Sequence, residues 1–243
     1  MARIRLYVDQ PLGAGQSVPV TADQAHYLFG VMRLGVGGAV ILFNGRDGEW
    51  RAEVAAAGKR GGVLACAEQL RGVQMPPDLW LLFAPIKKVR TDFIVEKAVE
   101  LGIARILPVQ TAFTNAERIR QDRLQAHAVE AAEQCGGTYV PQVSDLAALE
   151  TVLQTWDTDR RILWCDEHLA GGSPSLAGHR TRKGQPWAIL IGPEGGFSQS
   201  EQDRLRAMPC VVPLSLGPRI LRADTAAVAA ITLWQAALGD WDA

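Results

Sequence analysis

Leu190-Ile-Gly-Pro-Glu-Gly-Gly-Phe197 is followed, after a short interval, by Leu214-Ser-Leu-Gly-Pro-Arg-Ile-Leu-Arg222. In both stretches an apolar run stops at a turn built from glycine and proline. Glycine has no side chain to hold a ligand away, so such turns bring backbone N–H and C=O groups close to whatever lies between them. A pocket made this way reads a nucleoside through its main chain, which points to a cofactor-binding enzyme more than to a plain structural domain. The spacing is not that of a dinucleotide fingerprint, and no G-K-[ST] comes after it to make a phosphate loop. Taken alone, the first turn is equally a tight strand-to-helix connection. The second turn shifts the balance: Pro213, Gly217 and Pro218 bracket a short apolar stretch, and Arg219 and Arg222 flank Ile220-Leu221. Turns at the C-terminal ends of successive strands are where open α/β sheets place their ligands.

Working outward, strands and helices alternate from Leu79 onward. Strands are expected at Leu79–Ala84, Ile106–Val109, Val140–Val143, Ile162–Cys165, Ala188–Ile191 and Val211–Leu214. Helices are expected at Thr91–Leu101, from an Asn115 cap to Gly136-Gly137, at Asp145–Gln154, at Ser198–Met208 and at Ala223–Leu238. Such alternation implies a mainly parallel sheet covered on both faces. The segment from Gly171 to Gly184 is rich in glycine, serine and charge and is expected to be a surface loop.

Before Pro76-Pro77 the rhythm is that of a small β-rich domain. Ile4, Leu6 and Val8 alternate with polar residues, and Ala39–Phe43 and Trp50–Val54 flank the hairpin signals Asn44-Gly45 and Asp47-Gly48. Gly61-Gly62 opens a further strand through Ala67. Thr21 and Gln24 have the spacing of a capping box, ahead of a helical stripe of Ala25, Leu28, Phe29 and Met32. The change of rhythm sets two domains, 1–74 and 77–243.

The chain has 243 residues, 48% of them hydrophobic and 21% charged, enough to bury a sizeable core. A net charge of −1 argues against an indiscriminate polyanion binder, though a local basic face would suffice for a nucleic-acid substrate. Cys66, Cys135, Cys165 and Cys210 form no C-x-x-C pair and read as free or buried thiols. No metal site is expected, since His127, His168 and His179 lack ligand spacing. No run is apolar enough to span a bilayer or serve as a signal peptide, so no membrane partner and a cytoplasmic location are expected.

Gly192-Pro-Glu-Gly-Gly196, Leu216-Gly-Pro-Arg-Ile-Leu-Arg222 and Asp224-Thr225 together resemble the signatures of the SPOUT-class RNA methyltransferases. More narrowly, they resemble the family that methylates uridine N3 in 16S ribosomal RNA. The resemblance extends to His26-Tyr-Leu-Phe-Gly-Val-Met-Arg-Leu34, Asp92-Phe93, Glu96-Lys97, Glu100-Leu101-Gly102 and Glu133-Gln-Cys-Gly136. Two departures stand out. Gly137 occupies a place where relatives usually carry Arg, and Ala223-Asp224 replaces a frequent Thr-Glu, leaving the acid one methylene shorter.

The resemblance implies a C-terminal SPOUT-type α/β domain with a trefoil knot, and an N-terminal PUA-like β-barrel that helps grip RNA. It implies S-adenosylmethionine as cofactor, held bent and mostly by backbone. The residues carried over are Leu190, Ile191, Gly192, Pro193, Glu194, Gly195 and Gly196 from the first turn. From the second they are Leu214, Ser215, Leu216, Gly217, Ile220, Leu221 and Arg222. Relatives are homodimers, and the expected RNA partner is 16S rRNA within the small ribosomal subunit.

Methylation at N3 needs a proton acceptor and a cation for charge spreading onto the carbonyl oxygens. Arg222 is the candidate cation, and Asp224 would orient it or take the proton. The bland alternative is that Arg222 only pairs with Asp224 or Glu194 to brace the turn. Arg3, Arg5 and Arg33, with Lys87, Lys88 and Arg90, are candidates for phosphate contacts. Cys135 is expected to be a buried thiol, Phe197 to pack over the first turn, and Trp234 and Trp241 to face the core or a dimer partner. Two other readings stay open: a non-catalytic RNA-binding protein, and a methyltransferase of this class acting on another rRNA or tRNA position.

Overall fold

A computed structural model describes residues 4–115, 118–172 and 175–241. Packing divides the chain into two units, Met1–Met75 with Ala132–Val140, and Pro76–Ala131 with Pro141–Ala243.

The first unit is a five-stranded sheet in the order β1-β3-β4-β5-β2. Its strands are β1 (Arg5–Tyr7), β2 (Ser17–Val20), β3 (Ala39–Phe43), β4 (Glu49–Gly58) and β5 (Gly61–Arg71). β1 runs parallel to β3 and the remaining pairs are antiparallel. Alternate residues face one core: Leu6, Val18, Val20, Val40, Leu42, Ala52, Val54 and Leu64 are all buried. The hairpin signals between β3 and β4 hold. Asn44 Oδ1 accepts the N–H groups of Arg46 and Asp47 at 3.0 and 2.8 Å, an Asx turn. The Leu12 N–H and the Asn44 amide both donate to Asp47, which lowers its carboxyl below the ordinary value.

β2 escapes a reading by pattern because Pro19 sits in its middle. Its place at a sheet edge accommodates the missing donor. The Thr21/Gln24 capping box is present and starts α1 (Ala22–Ala25). After one turn the chain widens into a π-helical stretch, His26–Val31, with Met32 N–H donating to Tyr27 O at 2.8 Å. The change of period breaks the expected apolar stripe: Ala25 and Leu28 are buried, but Met32 is 40% exposed.

Arg5 corrects an expectation. Its guanidinium donates to Glu49 and to Gly137 O at 2.6 Å and lies 4.8 Å from the Phe43 ring centroid. Arg71 donates to the same carboxylate at 2.9 Å and to Gly136 O. Arg5 therefore belongs to a mostly buried network and not to a phosphate-facing surface. Arg33 is exposed, with a left-handed φ of 54°. Arg3 lies outside the described residues. Cys135 is exposed instead of buried.

The second unit is a parallel sheet in the order β12-β10-β11-β6-β7-β8, with β9 pairing β7. In chain order its elements are β6 (Leu79–Phe83), α2 (Lys88–Glu100), β7 (Arg105–Gln110), α3 (Gln121–Cys135), β8 (Gln142–Val143), β9 (Ala147–Ala148) and α4 (Leu149–Gln154). Next come β10 (Arg161–Cys165), β11 (Trp187–Ile191), α5 (Gln199–Ala207), β12 (Val211–Leu214) and α6 (Ala223–Leu238). β11 is buried at all five residues, as a central parallel strand covered on both faces must be. Trp164, Leu190, Phe197 and Leu205 pack in the core on one face of the sheet. α3 begins at Gln121, so Asn115 does not cap it. Short 3-10 turns occupy Glu167–Leu169 and Ala177–Arg182, the second inside the expected loop.

α6 also closes the end of α2. Gln235 is 1% exposed, and its Nε2 donates to Leu101 O at 2.7 Å and Gly102 O at 3.4 Å. These are carbonyls that a helix end leaves without a partner. Gln235→Leu keeps the bulk and removes the donor, so it should cost about 1–3 kcal/mol. Urea unfolding checks this, and a variant as stable as wild type would show the bond to be dispensable.

Candidate functional site

β10 and β11 return to the side of β6 opposite β7, so the sheet switches direction between them. Parallel strands put all their C-terminal ends on one edge, and a crevice forms beyond such a switch point. A cavity of about 500 Å³ lies there. Its lining comes from the end of β10 and the chain after it (Cys165, Asp166, Glu167), from the chain after β11 (Gly192, Pro193, Gly196) and after β12 (Leu216, Gly217, Ile220).

The first turn is shaped by its glycines and by the Phe197 side chain next to them. Gly196 N–H donates to Pro193 O at 2.9 Å, with Gly196 at φ 69°. A Cβ on Gly192 would lie 2.7 Å from the Phe197 ring, which packs edge-on against Trp164 at 6.0 Å. Phe197 is thus a packing residue under the turn. Behind it Ser198 and Glu201 form the expected capping box of α5, which fixes the exit of the turn.

The second turn is clasped to the loop after β10. Gly217 N–H donates to Ser215 Oγ at 3.2 Å, Ser215 Oγ donates to Gly172 O at 3.1 Å, and Gly171 N–H donates to Gly217 O at 3.0 Å. Gly217 holds φ 106°, which a residue with a Cβ rarely adopts. Four strand-end segments therefore make the cavity, where the two glycine turns alone suggested two: the loop after β10 is the third, and Lys87 and Arg90, which follow β6, come from the fourth. The signal for the third was present: Asp166 and Glu167 come directly after an apolar strand, at the edge that parallel strands share.

Of the residues expected to bind a ligand, Ile191, Gly192, Pro193, Glu194, Gly196, Leu216, Gly217, Ile220, Leu221 and Arg222 line the cavity. Leu190, Gly195, Leu214 and Ser215 are not in its lining; Leu190 and Leu214 are buried in the core and Ser215 braces the turn. Lys87, Arg90, Trp164, His168 and Arg219 also line it. Cys165 does too, with its thiol pushed up to about 12 by desolvation, which leaves it a poor nucleophile.

The charges sort in an unexpected way. Arg90 Nη1 lies 3.2 Å from Glu194 Oε1, and Arg90 Nε lies 3.7 Å from Asp224 Oδ2. Arg90 is thus the brace between the first turn and the start of α6, the part the bland alternative gave to Arg222. The Arg222 side chain is exposed and has neither hydrogen bond nor ion pair among the described residues. Asp224 is outside the cavity lining; its Oδ1 accepts Thr225 N–H at 2.9 Å. Lys88 is exposed beside Lys87 at the start of α2. Among the described residues no group of His, Cys, Asp and Glu could hold a metal ion, and no helix is long and apolar enough to cross a membrane.

Asp92 and Glu96 from α2 face Arg123 and His127 from α3, with His127 Nδ1 3.1 Å from Glu96 Oε1. This polar cluster joins two helices and contributes nothing to the cavity lining. Trp234 is buried as expected, whereas Trp241 is 50% exposed.

Comparison with known proteins supplies a context for this architecture. A family model described as an RNA methyltransferase domain matches residues 74–235, and one described as an RNA methyltransferase PUA domain matches residues 20–64. The ribosomal RNA small subunit methyltransferase E of Rickettsia conorii is 30% identical over 228 residues, 93% of each chain. Its Bacillus subtilis counterpart is 26% identical, over 92% of this chain and 91% of that one. The crystal structure of a ribosomal RNA small subunit methyltransferase E from Neisseria gonorrhoeae, bound to S-adenosyl methionine, has a TM-score of 0.88 at 26% identity, covering 98% of this chain and 99% of that one. A Legionella pneumophila methyltransferase in complex with the same cofactor has a TM-score of 0.89 at 27% identity, covering 99% and 100%.

Proposed function

Because the chain belongs to the RNA methyltransferase family, we propose that it uses S-adenosylmethionine to methylate N3 of a uridine in 16S ribosomal RNA. The observation that carries this reading is the unpaired Arg222 in a glycine-lined cavity at the sheet's switch point. The residues present suit the cofactor. About 500 Å³ lies within the roughly 300–1,000 Å³ usual for small-molecule sites. Ile191, Leu216, Ile220, Leu221 and Ala226 offer apolar surface for an adenosine, while the turns offer main-chain groups at Gly192, Gly196 and Gly217. Both signs of charge are available for a zwitterionic amino-acid end.

When bound, the cofactor supplies a sulfonium-activated methyl group, which leaves positioning and charge stabilisation to the protein. N3 lies on the Watson–Crick edge, so the target base must be unpaired or drawn out of its stack. As its N3 proton leaves, negative charge spreads onto the flanking carbonyl oxygens. Arg222 is free to meet that charge because Arg90 already serves Glu194 and Asp224. Asp224 in this reading holds Arg90 and thereby keeps Arg222 available. Lys87 and Lys88 stand ready for phosphates, while Arg90 acts as brace.

The wider organisation belongs to the same proposal. Residues 1–74 form the RNA-gripping PUA-like domain, with Arg33 at its surface, and 77–243 the catalytic one, whose segments 190–196 and 214–222 form the knot. A homodimer is supported by Val89 and Ile220, 79% and 72% exposed at or beside the cavity lining. Nucleoside mass spectrometry of 16S rRNA from a strain lacking the protein should show 3-methyluridine gone and restored by the wild-type gene. Its persistence would refute the assignment and leave another rRNA or tRNA position as target.

A further inference from the structure

Three carboxylates line the cavity, and two have partners. Asp166 accepts the His168 N–H at 3.0 Å and lies 3.8 Å from Arg206. Glu194 lies 3.2 Å from Arg90. Glu167 has no hydrogen bond or ion pair for its side chain among the described residues. Its backbone is nonetheless fixed. Glu167 opens a 3-10 turn capped by Asp166, and its carbonyl accepts Ala170 N–H at 3.0 Å.

The carboxylate is exposed and lies against the first turn. A Cβ built on Gly196 would collide with Glu167 Oε1, so the acid rests against the first turn in space that only glycine leaves free. Gly196 thus has two duties, its φ of 69° and this opening for the acid. The loop that carries Glu167 is itself clasped to the second turn through Gly171 and Gly217. The result is a solvent-exposed anion set against the first glycine turn, on a loop tied to the second, with no ion-pair partner among the described residues.

We propose that Glu167 is the counter-charge for the cationic end of the cofactor, an inference that rests on the methyltransferase reading. S-adenosylmethionine has two cationic groups, the sulfonium and the α-ammonium, and the demethylated product keeps only the ammonium. A carboxylate at the sulfonium favours substrate over product and so helps product leave. A carboxylate at the ammonium holds both equally.

Isothermal titration of the full-length protein with S-adenosylmethionine and with S-adenosylhomocysteine separates these. Glu167→Gln should weaken S-adenosylmethionine about tenfold, the size expected when one charge-assisted contact with the ligand becomes neutral. Weakening of S-adenosylmethionine alone places the acid at the sulfonium, and equal weakening of both compounds places it at the ammonium. Affinity unchanged in the Gln variant overturns the proposal. Glu167→Asp retains the charge and should recover most of the affinity; an Asp variant as weak as Gln would mean that shape, not charge, is read, and would also overturn it. Matching thermal melts of the unliganded proteins exclude a folding defect. A wild-type protein that binds neither compound refutes the methyltransferase reading itself, a result distinct from the failure of Glu167 alone.

Discussion

Arg222→Ala should lower the single-turnover methylation rate by about 10²–10³-fold, the range seen when one preorganised donor to a developing oxyanion is removed. The side chain lines the cavity and has no internal partner among the described residues. Its loss should therefore leave stability within about 0.5 kcal/mol of wild type. Cofactor affinity should also hold, since the turn at Arg222 contributes chiefly its backbone. Arg222→Lys keeps a cation but loses the planar fork, and should restore only part of the rate. A full-speed Ala variant with normal cofactor binding would remove Arg222 from the chemistry. Arg90→Ala provides a contrast: releasing Glu194 and Asp224 gives Arg222 two carboxylates to pair with, so the rate should fall without loss of the group itself.

The largest expected effect on stability lies at the other end of the sheet. Arg160 stands just before β10, is 7% exposed, and stacks 3.7 Å from the Trp80 ring centroid. Its guanidinium donates to Trp187 O at 3.0 Å, to Asp78 O at 3.2 Å and to Asp78 Oδ2 at 2.8 Å. It therefore ties together the N-terminal ends of the three central strands. The Asp78 side chain is 52% exposed, so the ion pair itself adds little. The carbonyl bonds and the desolvated stacking on Trp80 carry the effect. Arg160→Ala should cost on the order of 3 kcal/mol. That corresponds to a melting midpoint lower by roughly 6–12 °C for a chain of this size. A loss below about 0.5 kcal/mol, the range of an ordinary surface change, would show that the strands need no such tie.

Some elements are plain in the sequence and others are hidden for identifiable reasons. β12 and α6 begin and end where their apolar runs and flanking prolines and glycines put them. The capping boxes at Thr21 and Ser198 both form, because each is a local exchange of hydrogen bonds needing nothing distant. β2 is hidden because Pro19 argues against a strand until its edge position is known. The π-helical stretch is hidden because Ala25, Leu28, Phe29 and Met32 fit an α-helical stripe by spacing alone. Within the site, the glycine turns are legible as close-approach backbone. Which arginine braces and which stays free is not. Arg90 and Arg222 are separated by most of the domain's sequence, and only the fold sets Arg90, not Arg222, against Glu194 and Asp224. The acidic pair Asp166-Glu167 after an apolar strand marks the third loop, but which of the two acids stays unpaired is set by Arg206, a partner that only the fold supplies.

The strand order has a consequence for how the protein is made. β6 pairs with β11, whose residues emerge from the ribosome about a hundred positions later. At roughly 5–20 residues per second, that wait lasts on the order of 5–20 s. For that interval one long edge of β6, five apolar residues in a row, has no neighbouring strand to seal it. β10 arrives earlier but cannot dock against β6, because its place is one strand further out. Shielding of this edge, or fast delivery of the last third of the chain, should therefore raise the yield of folded protein more than the stability of the finished molecule would suggest.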